Sequence, residues 1–300
     1  MISKYIGNTP IVRLTNIEKH FNISAELYAK LEYKNPSGSV KDRAALYILN
    51  AAISEGELSV GGKIVEATSG NMGISLSFLS AALGFSATIV MPENMSCERV
   101  KIIRAYGAEV VLTEAEAGMS GAIERAREIS SESGDFMPNQ FTNLNGAIAH
   151  YSTTGPEIYR EMLGKVDIFS CGVGTAGTFF GVGRYLKEKK SNIKLLAIEP
   201  SESAVISGKT MGKHGIQGIG AGFFPPLLDT SLVDETFLVS TSEALDFMSL
   251  LSRKEGIFAG VSSGAALCSI VCLGMRKENK GKRIVTVFPD GGERYLSIIP

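Results

Sequence analysis

Short apolar runs alternate with amphipathic stretches along the whole chain. The apolar runs at residues 63–67, 86–91, 109–112, 166–171, 194–199 and 283–288 are short, bounded by turn residues and rich in Val and Ile, so they read as strands. Between them Ala45, Ile48, Leu49, Ala52 and Ile53 recur at helical spacing, and residues 99–106 and 243–251 behave likewise. Strand alternating with helix predicts an α/β protein whose mostly parallel sheets are covered by helices. Residues 201–229, rich in Gly and carrying Pro225 and Pro226, show no helical or strand period. Long loops in compact domains are usually functional, so this stretch reads as a rim or lid.

Composition narrows the class. The 300 residues are 44% hydrophobic and 20% charged, a globular balance, and a formal net charge of -1 leaves no general positive field for nucleic acid or anionic lipid. No stretch approaches the roughly 20 apolar residues that span a bilayer, and the opening MISKYIGNTPIVRL has no apolar leader core, so a cytoplasmic protein is expected. Four cysteines are too few for a disulfide framework in a chain of this length. Cys268 and Cys272, four apart on an expected helix, lack a second ligand pair and read as buried small hydrophobes rather than metal ligands.

Three strand-to-helix junctions carry unusual chemistry, and a parallel sheet gathers such junctions at the carboxyl ends of its strands. In CGVGTAGTFFG, Gly172, Gly174 and Gly177 follow a strand and open a helix, which lets an anion approach backbone N–H groups, with Thr175 and Thr178 adding hydroxyls. The spacing is also that of a dinucleotide fingerprint, with Glu199 placed as a ribose-binding acid, so these residues alone leave a dehydrogenase open. In NPSGSVKDR, residues 35–43, Lys41 falls in the first turn of a helix, where the partial positive charge of unpaired N–H groups should favour a neutral, Schiff-base-forming amine. In EATSGNMG, residues 66–73, Thr68, Ser69 and Asn71 suit a carboxylate at a helix start. The plain alternatives are a tight-packing turn, an incidental surface lysine and an ordinary N-cap.

Taken together with IGNTPIVRL at 6–14, MPENMS at 91–96, NQF at 139–141, GIGAGF at 218–223, SSGAA at 262–266 and GERYLS at 292–297, these motifs follow one another nearly end to end. In that order they resemble the cysteine synthase (O-acetylserine sulfhydrylase) and cystathionine β-synthase family of fold-type II pyridoxal phosphate enzymes, related to the tryptophan synthase β chain. The resemblance displaces the dinucleotide reading, which has no use for Lys41 or TSGN. It implies two three-layer α/β domains, a smaller mobile one over 41–145 and a larger cofactor-binding one over 1–40 plus 146–300. It implies that Lys41 holds pyridoxal 5'-phosphate as an internal aldimine and moves the substrate α-proton. Asn71 would meet the ring hydroxyl, Gly174, Thr175, Ala176, Gly177 and Thr178 the phosphate, and Ser262 the pyridine nitrogen. Thr68, Ser69, Asn71, Met72, Gln140 and Gly218 would form the substrate site.

The implied activity is β-replacement through an aminoacrylate, with O-acetylserine and sulfide giving cysteine and acetate. Cysteine as substrate, releasing hydrogen sulfide and forming serine or a lanthionine-type thioether, is the alternative. A regulatory role, binding the C-terminal tail of serine acetyltransferase, is an alternative of another class. A homodimer is expected, and the ending soon after GERYLS is expected to leave out appended regulatory domains. Four departures from the family pattern stand out. Met72 replaces a usual Thr and removes a hydroxyl from the carboxylate loop. Ala176 replaces a usual Gly, which is mild if the backbone angle there is negative. Phe224 and Pro226 make the lid bulkier, and Gly291, where Ser is frequent, has no account from sequence.

Overall fold

The computed structural model describes residues 2–68, 70–94 and 96–298. Along the chain lie β1 (Ile11–Arg13), α1 (Thr15–His20), β2 (Glu26–Leu31), α2 (Lys41–Glu55), β3 (Lys63–Ala67), α3 (Asn71–Leu83), β4 (Ser86–Pro92), α4 (Cys97–Ala105), β5 (Glu109–Thr113) and α5 (Gly118–Ser133). Then follow α6 (Asn145–Ala149), a π-helical turn (His150–Thr154), α7 (Gly155–Glu161), β6 (Ile168–Gly172), α8 (Gly177–Lys189), β7 (Lys194–Pro200), β8 (Glu235–Val239), α9 (Thr241–Glu255), α10 (Val261–Gly274) and β9 (Arg283–Phe288). Among the described residues β3, β4 and β5 form one parallel sheet in that order, and six strands form another in the order β1-β2-β9-β6-β7-β8. In the larger sheet only the β1–β2 pairing is antiparallel.

Two compact units result. Met1–Ile6 with Asn35–Gly146 carries the three-stranded sheet, and Gly7–Lys34 with Ala147–Pro300 carries the six-stranded one. Each sheet is buried on both faces, which is why its central strands are continuous apolar runs. In β7, Leu195 and Ala197 enter one hydrophobic cluster with Val182 and Leu186 of α8, while Leu196 and Ile198 enter another with Leu251 of α9 and Leu267 of α10. The small sheet does the same. Ile64, Ile89 and Met91 pack with Ile48 and Leu49 of α2, and Val65, Ala67 and Val90 with Ala122 and Ala126 of α5.

The strands invisible in the hydrophobic pattern are β1, β2 and β8. β1 is a three-residue edge strand, β8 is half-buried along most of its length, and β2 (ELYAKL) carries a lysine where a buried strand should be apolar. That Lys30 is fully buried, and its ammonium meets Glu157 at 2.9 Å, Glu161 at 3.0 Å and the Thr9 carbonyl at 2.7 Å. Only the tertiary fold supplies those partners. Removing one partner of such a pair costs about 3 to 5 kcal/mol, because a charge is left buried without compensation.

The cysteines depart from expectation. Cys268 is buried in α10 as core filling, but Cys272, one turn on, is exposed, because the helix turns that position away from the core. Cys272 is held near the Cys268 thiol, and that hydrogen bond brings it down to about 7. No helix among the described residues is long and apolar enough to cross a membrane.

Candidate active site

The residues singled out above fall in both units, and each unit builds its part separately. In the smaller unit the turn ahead of α2 is fixed by Asp42, a fully buried carboxylate that accepts hydrogen bonds from the Ser37 amide at 2.7 Å, the Ser37 hydroxyl and the Ser75 hydroxyl of α3 at 2.6 Å. An acid here also suits the positive end of the α2 dipole. The bond to Ser75 ties the first turn of α2, where Lys41 stands, to the first turns of α3. Gly38 makes the turn with φ +87, a left-handed angle that other residues rarely adopt.

The start of α3 lacks a side-chain cap. Its N-cap is Gly70, and a Cβ there would lie 2.7 Å from the buried Arg99 side chain. By contrast, at α9 Ser240 and Glu243 form a reciprocal capping box, which typically contributes about 1 kcal/mol. An uncapped start bearing Asn71, next to buried Thr68, is suited to a carboxylate or other small anion. Gln140, 73 residues beyond Ala67, reaches the same strand end: its side-chain amide donates to the Ala67 carbonyl at 3.2 Å and its backbone N–H to Glu66 at 3.3 Å. The structure therefore brings Thr68, Asn71 and Gln140 together. Ser69 lies outside the described residues.

Met72 does not join them. Its side chain is buried within the apolar cluster formed by α2, α3 and the small sheet, so what the position contributes to the helix start is its backbone. The Met72 side chain serves as core packing, because the first turn of α3 directs this position inward.

In the larger unit β6 leads through residues 173–176 into α8, whose start also has no side-chain cap. Gly174 passes so close to the next loop that a Cβ would sit 2.4 Å from the Gly218 carbonyl. Gly218 has φ +96, and its own missing side chain would point into open space. The Thr175 hydroxyl accepts from the Gly177 amide at 3.4 Å. Thr178 Oγ1 lies 3.2 Å from Nε2 of buried His150, whose Nδ1 lies 2.9 Å from Thr178's counterpart on the π-helical turn, Thr154. The Ala176 angle is positive, φ +69, not negative as a mild replacement would require. A Cβ in this left-handed region costs about 1 to 2 kcal/mol.

Ser262 opens α10, again without a side-chain cap, and is buried. Gly260, two residues before it, packs against the segment after β9. A Cβ on Gly260 would meet Asp290 at 2.1 Å, the Gly260 amide donates to the Asp290 carbonyl at 3.0 Å, and the Tyr295 hydroxyl donates to Asp290 at 2.7 Å. Gly291 now has an account. It pairs with Ala259 in an isolated bridge, and a side chain there would have to displace the Glu293 carboxylate, 2.0 Å from the Cβ position. Phe224 and Pro226 are both exposed in the loop after β7. Glu199, placed by sequence as a ribose-binding acid, accepts instead from the amides of Ile206 and Ser207, each at 2.8 Å, and from the Ser207 hydroxyl at 2.6 Å. It fastens the following loop, which removes the acid from the dinucleotide reading.

Sequence reasoning passed over Asp42, Glu66, His150 and Asp290. Asp42 and Glu66 stand inside motifs that had been singled out, and a carboxylate within an otherwise apolar or Gly-rich run was the available signal. A cradle that a single Cβ would close, an uncapped helix start and two threonine hydroxyls fit a phosphomonoester, and a buried serine hydroxyl at a second helix start fits a ring nitrogen.

The chain matches the model of the pyridoxal-phosphate dependent enzyme family over residues 2–290. It is 47% identical to a cysteine synthase of Staphylococcus aureus over 297 residues, which cover 99% of this chain and 95% of the relative. Among solved structures it is similar to a cysteine synthase of Entamoeba histolytica, with 45% identity, a TM-score of 0.95, and 99% of this chain and 89% of that chain covered. It is also similar to a hydrogen sulfide-producing enzyme of Fusobacterium nucleatum, with 42% identity, a TM-score of 0.95 and 99% of each chain covered. The match leaves out neither unit and neither sheet, and the chain belongs to the pyridoxal-phosphate dependent enzymes, in the fold-type II architecture of the cysteine synthases.

Proposed function

We propose that this enzyme is a cysteine synthase, which replaces the acetoxy group of O-acetylserine with sulfide and yields cysteine and acetate. The observation that carries the reading lies within the smaller unit. Lys41 stands at a helix start tied through Asp42 and Ser75 to the uncapped start of α3, where Thr68, Asn71 and the Gln140 amide gather. That arrangement offers an amine beside a carboxylate seat, as an α-amino acid requires. The likeness to cysteine synthases over the full chain supports it.

Pyridoxal phosphate, when bound, withdraws electrons from the substrate α-carbon, which acidifies its proton and lets a β-substituent leave. In the proposal Lys41 holds the cofactor through its amine and afterwards moves the α-proton. The Gly174, Thr175, Ala176, Gly177 and Thr178 run holds the phosphate, Asn71 the ring hydroxyl and Ser262 the ring nitrogen. A serine hydroxyl does not keep that nitrogen protonated as a carboxylate would, and the moderated electron sink suits elimination. Thr68, Ser69, Asn71 and Gln140 hold the substrate carboxylate, and Gly218 is a further substrate-binding position. Across the reaction the Cβ–O bond breaks with its electron pair leaving on acetate, a Cβ–S bond forms from sulfide, and the α-proton is returned.

Use of cysteine as substrate, with release of hydrogen sulfide, is the second reading, and the likeness to the Fusobacterium enzyme over 99% of both chains favours it. The resemblance adds three further parts to the proposal: a homodimer, a cytoplasmic location and binding of the serine acetyltransferase tail. Purified enzyme should form cysteine from O-acetylserine and sulfide faster than it releases sulfide from cysteine alone. The reverse order would move the assignment to the second reading, and no turnover in either assay would overturn both. Size-exclusion chromatography and titration with a tail peptide test the partners.

A further inference from the structure

Glu66 is a buried carboxyl that the proposed chemistry does not use. It stands in the last turn of the pleat of β3, on the face that Ile64 shares with α2 and α3, where an apolar side chain would serve the core. Beside it runs the segment 136–140. Phe136 pairs with the edge of β3, its amide donating to the Lys63 carbonyl at 3.0 Å and its carbonyl accepting from the Val65 amide at 2.9 Å. The chain then turns through Asn139, at φ +53, and returns to place the Gln140 amide on Glu66. A positive φ at a residue other than Gly persists where the surroundings hold it.

We propose that Glu66 is a positioning residue, whose carboxyl pins the backbone of the 139–140 turn to the end of β3 and so sets the Gln140 side chain where it reads the substrate carboxylate. The inference rests on the role given to Gln140 above. Without Glu66, what ties Gln140 to the end of β3 is its own side-chain bond to the Ala67 carbonyl, the bond that a substrate carboxylate would compete for, while the amides of Thr142 and Asn143 on the Asn139 carbonyl, each at 2.9 Å, hold the turn only to itself.

The chemistry of the pin follows from its setting. Burial pushes the Glu66 carboxyl up to about 8, opposed by the backbone N–H groups of Gln140, Ala67 and Asn139 and by the charge of Lys41. Lys41, from the start of α2, is the charged group it feels; the loop faces it with backbone N–H groups, and Asp42 is engaged by Ser37 and Ser75. At neutral pH the pin is therefore an uncharged acid, compatible with an incoming carboxylate. Above about pH 8 it becomes an anion beside the seat and opposes substrate binding.

Three forms of the holoenzyme test this: the wild type, Glu66→Ala and Glu66→Gln. Glu66→Ala should raise the KM for the amino-acid substrate about 10-fold with a smaller change in kcat, as expected for loss of a buried hydrogen bond that acts on binding. At pH 7 Glu66→Gln, neutral and still an acceptor, should bring KM back to within about threefold of the wild type. Above pH 8 the wild-type KM should climb and that of Glu66→Gln should climb less. Amide hydrogen exchange over residues 136–141 should quicken in Glu66→Ala. An active wild type with unchanged KM in Glu66→Ala overturns the pin and leaves the proposed function standing. A wild type that turns over neither substrate overturns that function, and unchanged exchange in Glu66→Ala then still overturns the pin. Should Glu66→Ala fail to fold, identical pH profiles for Glu66→Gln and wild type overturn it.

Discussion

The junctions β3–α3 and β6–α8 solve one problem with different materials. Both helices begin without a side-chain cap, so both present backbone N–H groups to an anion. At β3–α3 the surroundings are side chains: buried Thr68, the Gln140 amide and the Glu66 carboxyl, braced by Asp42. At β6–α8 they are backbone and hydroxyls: Gly174 against the Gly218 carbonyl, with Thr175 and Thr178. A small carboxylate that must be exchanged at each turnover suits side chains that read its shape. A phosphate that stays bound suits a close, rigid approach of the main chain. The carboxyl groups at the two strand ends differ in the same sense. Glu199 takes three short hydrogen bonds and fastens a loop, whereas the backbone N–H groups around Glu66, that of Gln140 at 3.3 Å, do not offset its burial, and it stays uncharged near neutrality.

The largest expected effect lies beside the first junction, at the start of α2 that Ser75 ties to it. Lys41→Ala should lower turnover by about 10²–10⁴-fold, the range for losing a positioned proton-transfer group, and borohydride labelling should mark Lys41 in the wild type. Recovery of the label on another lysine would break the assignment of the amine to this junction.

Glu66 gives the first junction a pH signature. Its carboxyl is raised in the folded protein from 4.5 to about 8, so between those values the folded state holds a proton that the unfolded state has released. Stability should therefore fall as pH rises through this window, by at most about 1.4 kcal/mol per pH unit from this group. Denaturant titrations of wild type and Glu66→Gln should diverge across it; parallel curves would deny the distinction from Glu199.

At the second junction, Gly174→Ala should crowd the Gly218 carbonyl at a cost of about 1 to 3 kcal/mol. The loss should appear as cofactor absorbance shed on dialysis, with little change at the first junction. Met72→Thr should lower stability by about 1 to 3 kcal/mol, through a hydroxyl placed in an apolar cluster, and leave KM nearly unchanged. A clear fall in KM would return this position to the carboxylate seat. The smallest effect is a gain. Ala176→Gly removes the left-handed strain while loosening the unfolded chain, for a net increase of up to about 1 kcal/mol and firmer cofactor retention. A loss of stability would show that the alanine methyl contributes more packing than strain.

By itself the sequence determined the α/β class, the central strands and the two anion-suited junctions. These are local signals: a doubly buried strand is a continuous apolar run, and a helix opened by Gly, Ser or Thr announces its start within a few residues. The ordered motifs carried the family. The tertiary structure decided what depends on partners distant in sequence. It alone shows why β2 tolerates Lys30, since Glu157 and Glu161 lie some 130 residues away along the chain. It alone turns Met72 inward, sets a positive angle at Ala176, assigns Glu199 to its loop and brings Gln140 to the end of β3 beside Glu66. Side-chain direction, backbone sign and the satisfaction of a buried charge are properties of the packed chain, and no local window of residues contains them.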